Sequence, residues 1–200
     1  VVFVVSVHAI YSVSESMSQS RFLSFFGRVD YSLLDRYYFD ASIRNDACSR
    51  FGVNNRNATF WAVGGMWKIK NEDFMYGISA INDLNLKVSY GTQGNASIGD
   101  YQHLGLVTES GKYMDASTKF LVRPQSPNLT WENQALLTVG VNGRIFNRFD
   151  FNIEFYDRTT TSMLMDVPYN YTTGVSSLKE NVGSLSNRGV DITLGVDILQ

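Results

Sequence analysis

Cysteine is all but missing from this chain. Cys48 stands alone among 200 residues, which excludes an internal disulfide and a thiolate metal site. Histidine is nearly as scarce: His8 and His103 are the only two. They lie far apart in sequence, and with one cysteine they supply neither a metal-ligand cluster nor the nucleophile–base–carboxylate set of a hydrolase. No apolar run reaches the ~18–20 residues that a membrane-spanning helix needs. The longest, Val1–Val5 with Val7, Ala9 and Ile10 beyond it, lacks the starting Met, basic flank and small-residue cleavage site of a signal peptide. Neither sign of charge dominates. The formal net charge is −2, and no basic stripe interleaves with aromatics, so nucleic acid is not an expected partner. Gly94–Gly99 has the spacing of a phosphate loop but continues Asp100-Tyr101 where a phosphate loop needs Lys-Ser/Thr, so it fails as one. The triplets at Asn57, Asn95, Asn128 and Asn170 fit the glycosylation pattern, a match that an Asn-rich sequence meets by chance.

What the chain does have is aromatics, at 14% with 13 Phe and 11 Tyr, and alternation. Over residues 188–198, Val190, Ile192, Leu194, Val196 and Ile198 fall on one face of an extended strand, while Gly189, Asp191, Thr193, Gly195 and Asp197 fall on the other. The pattern recurs. It predicts strands at about 22–33, 37–46, 59–69, 84–90, 135–141, 149–156 and 188–198. In the second, Tyr37, Phe39, Ala41 and Ile43 oppose Asp40, Ser42, Arg44 and Asp46. At helical spacing those carboxylates and aromatics would mix around the cylinder. Acid–base work by Asp40 and Asp46 is conceivable chemistry, but charges sharing a water-facing strand surface with Arg44 account for the pair. Trp61 and Trp67 sit towards the two ends of the third strand, which suits the two membrane–water interfaces.

Seven antiparallel strands put connections on alternate ends. One end receives 34–36, 70–82 and 146–148; the other receives 48–58, 92–130 and 161–187. The 70–82 link has room for one helical turn, whereas 92–130 is a long polar stretch that contains Pro124 and Pro127. Tight turns on one side and long loops on the other match an outer-membrane barrel, whose periplasmic turns are short and extracellular loops long. A soluble, secreted β-sandwich that binds carbohydrate through loop aromatics shows the same alternation. Strands of ten to twelve residues favour the barrel, since sandwich strands run nearer five or six.

Several blocks resemble the SusC/RagA type of TonB-linked outer-membrane transporter of Bacteroidetes. They are Arg21–Tyr31; Asp35-Arg36-Tyr37 with Ala41–Arg44 and Asn45–Gly52; Asn54–Phe60 on to Trp67 and Phe74; Leu84–Asn95 with Ile98-Gly99; and Asn181–Ser184 with Asn187–Val190. The chain departs from the family pattern in carrying Ala47 where Gly is usual and Trp61 where Pro is usual. The resemblance covers most of residues 21–200. It implies an all-β, antiparallel transmembrane barrel segment of about seven strands, cut from a family-typical barrel of 22. On this reading residues 1–20 are a strand end or loop, and 21–200 are barrel without the plug domain. The resemblance further implies import of oligosaccharides or peptides across the bacterial outer membrane. TonB energises that import and a SusD-like surface lipoprotein assists it, both engaging parts of the protein other than this stretch, with membrane lipid as the remaining partner. It implies no enzyme activity, no metal and no cofactor. An odd count of seven strands cannot close, and an open sheet edge in lipid leaves unpaired backbone groups, so the segment alone is not expected to transport.

The aromatic-rich loops are the binding candidates. Tyr101, Tyr113, Tyr169 and Tyr171 fall in the two longest expected extracellular segments, where aromatic faces can stack on sugar rings or hold peptides. Packing between loops, or against the outer interface, would explain the same tyrosines.

Overall fold

A computed structural model describes the chain at residue 15 and over 17–170, 172 and 174–198. Most of the stretch expected as a strand end or loop over 1–20 lies outside these residues, as does Tyr171; residues 17–20 carry no regular structure. The described residues form β1 (Phe22–Leu33), β2 (Tyr37–Cys48), β3 (Asn57–Lys68), β4 (Ile81–Asn95), β5 (Leu106–Tyr113), β6 (Ala116–Arg123), β7 (Glu132–Ile145), β8 (Phe149–Thr161), β9 (Leu164–Pro168), β10 (Ser177–Asn181) and β11 (Ser184–Val196). Among them there is no α-helix, only short 3-10 turns at Val53–Asn55, Ile69–Asn71 and Asp73–Met75.

Seven strands pair antiparallel in the order β1, β2, β3, β4, β7, β8, β11, and the sheet does not close on itself. These are the seven that alternation predicts. The two long connections, expected as loops, each carry a hairpin of their own, β5–β6 and β9–β10. The sheet strands also run further than the pattern suggests: β4 continues through Thr92 to Asn95, and β11 begins at Ser184. Both extensions lie where the apolar alternation has stopped but ladder hydrogen bonding has not.

Register assigns the faces. One hydrogen-bonded row reads Tyr31, Phe39, Gly65, Val88, Val139, Phe155 and Val190 across the seven strands. Its neighbours on the same face read Leu33, Tyr37, Trp67, Leu86, Val141, Ile153 and Ile192. The opposite face carries Asp30, Asp40, Gly64, Ser89, Thr138, Tyr156 and Gly189 in a single row. Among the described residues no second sheet covers the apolar side. Val190, Ile192 and Leu194 are 57%, 63% and 73% exposed, so this single layer is not half of a β-sandwich.

The edge of the apolar face slants across the rows. Nearest the long loops it ends at Leu23 on β1, at Ile43 and Trp61 on β2 and β3, at Tyr90 and Leu137 on β4 and β7, and at Phe155 and Val190 on β8 and β11. Val190 shares a row with Tyr31, so the edge descends eight residues between Leu23 and Tyr31 of β1 over six strand steps. At ~3.3 Å per residue and ~4.8 Å per strand that is a tilt of about 40°, inside the range for barrel strands. The slant is what a level membrane edge draws on tilted staves.

Aromatic pairs mark both edges of the band. Trp61 and Tyr90 lie 5.4 Å apart towards the loops, and Tyr37 stacks on Trp67 at 6.5 Å towards the turns. At the turn end the Glu72 carboxylate accepts hydrogen bonds from the Tyr37 hydroxyl (2.6 Å), the Trp67 indole N–H (2.9 Å) and the Arg36 guanidinium (3.1 Å). These donors, Tyr37 foremost, hold the Glu72 carboxyl below the usual carboxylate range. The β1–β2 and β7–β8 connections are three residues long, and each places its first two at positive φ, Leu34 and Asp35 in one, Phe146 and Asn147 in the other, a handedness that matches the twist of the flanking strands.

Candidate functional site

Apart from Met75 at the turn end, the buried apolar side chains among the described residues gather at the loop end of the sheet and not between layers. Cys48, Phe51, Phe60, Ile98, Leu129 and Trp131 form one cluster. They come from β2, the β2–β3 connection, β3 and the two ends of the stretch between β4 and β7. Trp131 is its centre, with ring contacts to Phe51 at 5.1 Å, Phe60 at 5.8 Å and Phe22 at 6.5 Å. Its indole N–H donates to the Arg56 carbonyl at 3.0 Å, so the one polar atom of the ring is satisfied.

Polar ties extend this anchor to the loops. Arg50 pairs with Asp100 at 2.8 Å and donates to the Ala96 carbonyl. The Ser18 hydroxyl and Arg50 together keep the Asp100 carboxyl below the usual range. The His103 ring lies 2.9 Å from the Arg50 carbonyl, a structural role. His8 lies outside the described residues, and among those described no three metal-ligating side chains converge. The Asn181 amide spans the β9–β10 hairpin and the start of β7: its oxygen accepts from the Thr130 N–H at 2.8 Å, and its nitrogen donates to the carbonyls of Thr130 and Ser162 at 2.8 and 2.9 Å. Arg123, at the foot of β5–β6, donates to Gln102 and to the carbonyls of Tyr101 and Leu104. The hairpins are therefore fixed at their feet.

Of the hollows on the polar face of the described residues, two bear on the site. The larger, about 710 Å³, is lined by Arg28, Asp30, Tyr38, Asp40, Lys87 and Glu154 among others. Arg28 and Asp30 pair at 2.7 Å, and Asp40 lies across Gly64, where an added Cβ would come within 2.4 Å of its carboxylate oxygen. The missing side chain at Gly64 lets the acid lie flat, and a Cβ there would turn it to another rotamer. The second hollow, about 600 Å³, sits nearer the loops against Trp131 and is lined by Phe22, Arg44, Asp46, Arg50, Phe60 and Gln93 among others. Sequence reasoning did not single out this group. The available signals were Phe22 and Phe26, large apolar residues in the polar half of the β1 alternation; Phe22 lines the hollow and Phe26 is paired with its Arg44.

The tyrosines singled out from sequence are scattered. Tyr101 precedes β5 and its hydroxyl accepts from the Gln19 N–H at 3.1 Å. Tyr113 lies at the far tip of the same hairpin, 70% exposed. Eight strand residues separate the two ends of β5, roughly 25 Å at ~3.3 Å per residue. Tyr169 belongs to the other hairpin and donates to Glu180 at 2.5 Å. These three are not brought together.

Comparison with known proteins agrees with this geometry. The family model described as TonB dependent receptor-like, beta-barrel, matches residues 8–199. TonB-dependent receptor P26 of Formosa agariphila is 34% identical over 175 residues, 86% of this chain and 18% of the relative. TonB-dependent receptor SusC of Bacteroides thetaiotaomicron is 32% identical over 186 residues, 88% of this chain and 18% of its own length. Among solved structures, the RagAB peptide transporter superposes with a TM-score of 0.84 at 44% identity, over 90% of this chain and 20% of that one. The siderophore receptor PirA of Acinetobacter baumannii shares the fold alone, with a TM-score of 0.63 at 15% identity. The chain thus spans about a fifth of the length of the relatives it matches. Its open, tilted, two-faced sheet is a barrel wall of the bacterial outer membrane, and the chain belongs to the TonB-dependent receptor β-barrel family, as a segment of the SusC/RagA type.

Proposed function

We propose that this chain is one wall of an outer-membrane importer that admits peptides or oligosaccharides, is energised through TonB and works with a SusD-like surface lipoprotein. The observation that carries the proposal is a lipid-type outer face backed by a charged inner one. The inner face holds hollows of about 710 and 600 Å³, large enough for a few residues of a solute. Identity is higher to the RagAB peptide transporter, at 44%, than to SusC, at 32%, which favours peptides of the two substrate classes. The loop tyrosines are proposed as outer contacts, with Tyr113 the most exposed of those described. They meet solute one at a time, given their separation.

The test is uptake by cells carrying the full-length protein, fed a defined peptide mixture or a maltooligosaccharide series, with and without TonB. TonB-dependent depletion of one class supports the proposal. Depletion unaffected by loss of TonB, or of neither class, overturns it.

A further inference from the structure

We infer that the inner face carries a solute subsite at the mouth end of the wall, built for a large apolar side chain next to a carboxylate, as at the C-terminus of a peptide. The inference rests on the import reading above and specifies its chemistry.

The inner surface of the sheet is polar almost throughout, yet near the loops it turns aromatic. Phe22 and Phe26 both belong to the polar parity of β1, where they alternate with the outward-facing Leu23 and Phe25. They are 55% and 83% exposed. The row through Phe26 continues to Arg44 on β2 and Phe60 on β3, so the register sets an arginine between two phenylalanines. Side chains paired in such a row lie ~5 Å apart at Cβ. Apolar rings facing an aqueous lumen are unfavourable unless something covers them.

The shape of the demand is readable. Trp131 already has Phe51, Phe60 and Phe22 against it and is almost fully buried, so it is the floor and not the contact surface. The rings that remain open are phenyl rings. They carry no hydroxyl or N–H to engage a sugar and match an aliphatic or aromatic side chain. Phe22 lines the second hollow together with two arginines, and Phe26 stands at its rim as the strand partner of one of them, Arg44. Arg44 gives its Nε–H to Asp46 at 2.6 Å while 59% of its side chain stays exposed. Arg50 is spread over the Phe22 ring at 5.7 Å and tied by Nε to Asp100. A guanidinium has five N–H donors; Asp46 takes one of Arg44's and the Ser24 hydroxyl accepts a second, from Nη2, at 3.5 Å, so Nη1 and the remaining Nη2 hydrogen are left to meet an incoming carboxylate. The Gln93 and Gln134 amides, hydrogen-bonded to each other across β4 and β7, stand beside them with the groups that match a peptide backbone. Apolar patch, guanidinium and amides together select an apolar side chain, a carboxylate and an amide backbone, which a peptide C-terminus presents at once.

The experiment uses the full-length receptor in detergent or lipid. Binding is measured for a fluorescent pentapeptide ending in Phe with a free carboxylate, its C-terminal amide, the same peptide ending in Ala, and maltoheptaose. Expected outcomes are about tenfold preference for the Phe acid over the Ala acid, lost in Phe26→Ser, and preference for acid over amide, lost in Arg44→Gln. Gel mobility before and after heating confirms that each variant is folded. Wild-type protein that binds no peptide overturns the import reading itself. Wild-type binding left unchanged by both variants overturns the subsite alone. Weakened maltoheptaose binding in Phe26→Ser makes the patch a sugar platform. Unchanged peptide affinity with new permeability to a large antibiotic makes it a seat for another part of the polypeptide, and unchanged affinity with lowered heat stability makes Phe26 packing for a neighbouring strand. Each of these three results overturns the subsite.

Discussion

Replacing Leu194 with Arg places a charge on the face assigned to lipid. Leu194 shares a row with Phe151 and Gly143 and is 73% exposed, with no second layer over it. On β11 the apolar face begins at Val190, four residues from Leu194, or ~13 Å along the strand. At a tilt of about 40° this is ~10 Å below the membrane edge, and an apolar band ~25 Å tall puts the site close to the midplane. Arginine at that depth costs ~2–4 kcal/mol, roughly a 30- to 700-fold shift in the folding equilibrium. Thr193, one residue away, points to the opposite face beside Asn152, and Thr193→Arg should stay within ~0.5 kcal/mol as a hydrated surface change. The assay is a reversible denaturant titration of the complete barrel in lipid vesicles. A neutral Leu194→Arg with a costly Thr193→Arg would reverse the faces, and equal small effects would deny a membrane on either side.

Trp131→Ala removes the centre of the loop-end cluster, where the side chain is 4% exposed, and should cost ~3–5 kcal/mol. Limited proteolysis should then cut the connections bearing β5–β6 and β9–β10 while the sheet strands stay protected; intact loops would show that the cluster does not anchor them. Glu72 has a depressed folded-state pKa because Tyr37 and Trp67 donate to its carboxylate. Its contribution is fully present above the unfolded carboxylate range and is lost as pH falls through the lower, folded value. Between pH 6 and 3 the heat-unfolding midpoint of the wild type should therefore drop further than that of Glu72→Gln, and parallel curves would refute the assignment.

The seven wall strands are legible in sequence because the membrane imposes period two on each of them. Any stave that breaks the alternation exposes a charge to lipid, so Val190 to Val196 or Leu84 to Tyr90 identify themselves. The hairpins are not legible for the converse reason. In β6 the run Phe120, Leu121, Val122 puts apolar side chains on both faces, since neither face meets lipid, and β9 is five residues long. The loop-end cluster is hidden differently. Phe51, Ile98, Leu129 and Trp131 are single residues in separate connections, and alternation within one segment carries no information about contacts between segments. Phe26 was visible as an exception to the alternation. Its meaning came from register, which sets it beside Arg44 and Phe60. The loop tyrosines were chosen by residue type, and type does not encode convergence: Tyr101 and Tyr113 lie at opposite ends of one hairpin.

One face of this sheet meets lipid and the other water. The direct measurement is a cysteine scan of residues 190–197 in the full-length protein, freed of native cysteines, with a nitroxide label at each position and collision rates recorded for oxygen in lipid and a nickel chelate in water. Period-two alternation is expected, with oxygen contact at Val190, Ile192, Leu194 and Val196 and nickel contact at Asp191, Thr193, Gly195 and Asp197. Alternation of the opposite phase, or uniform nickel contact along the strand, would contradict it.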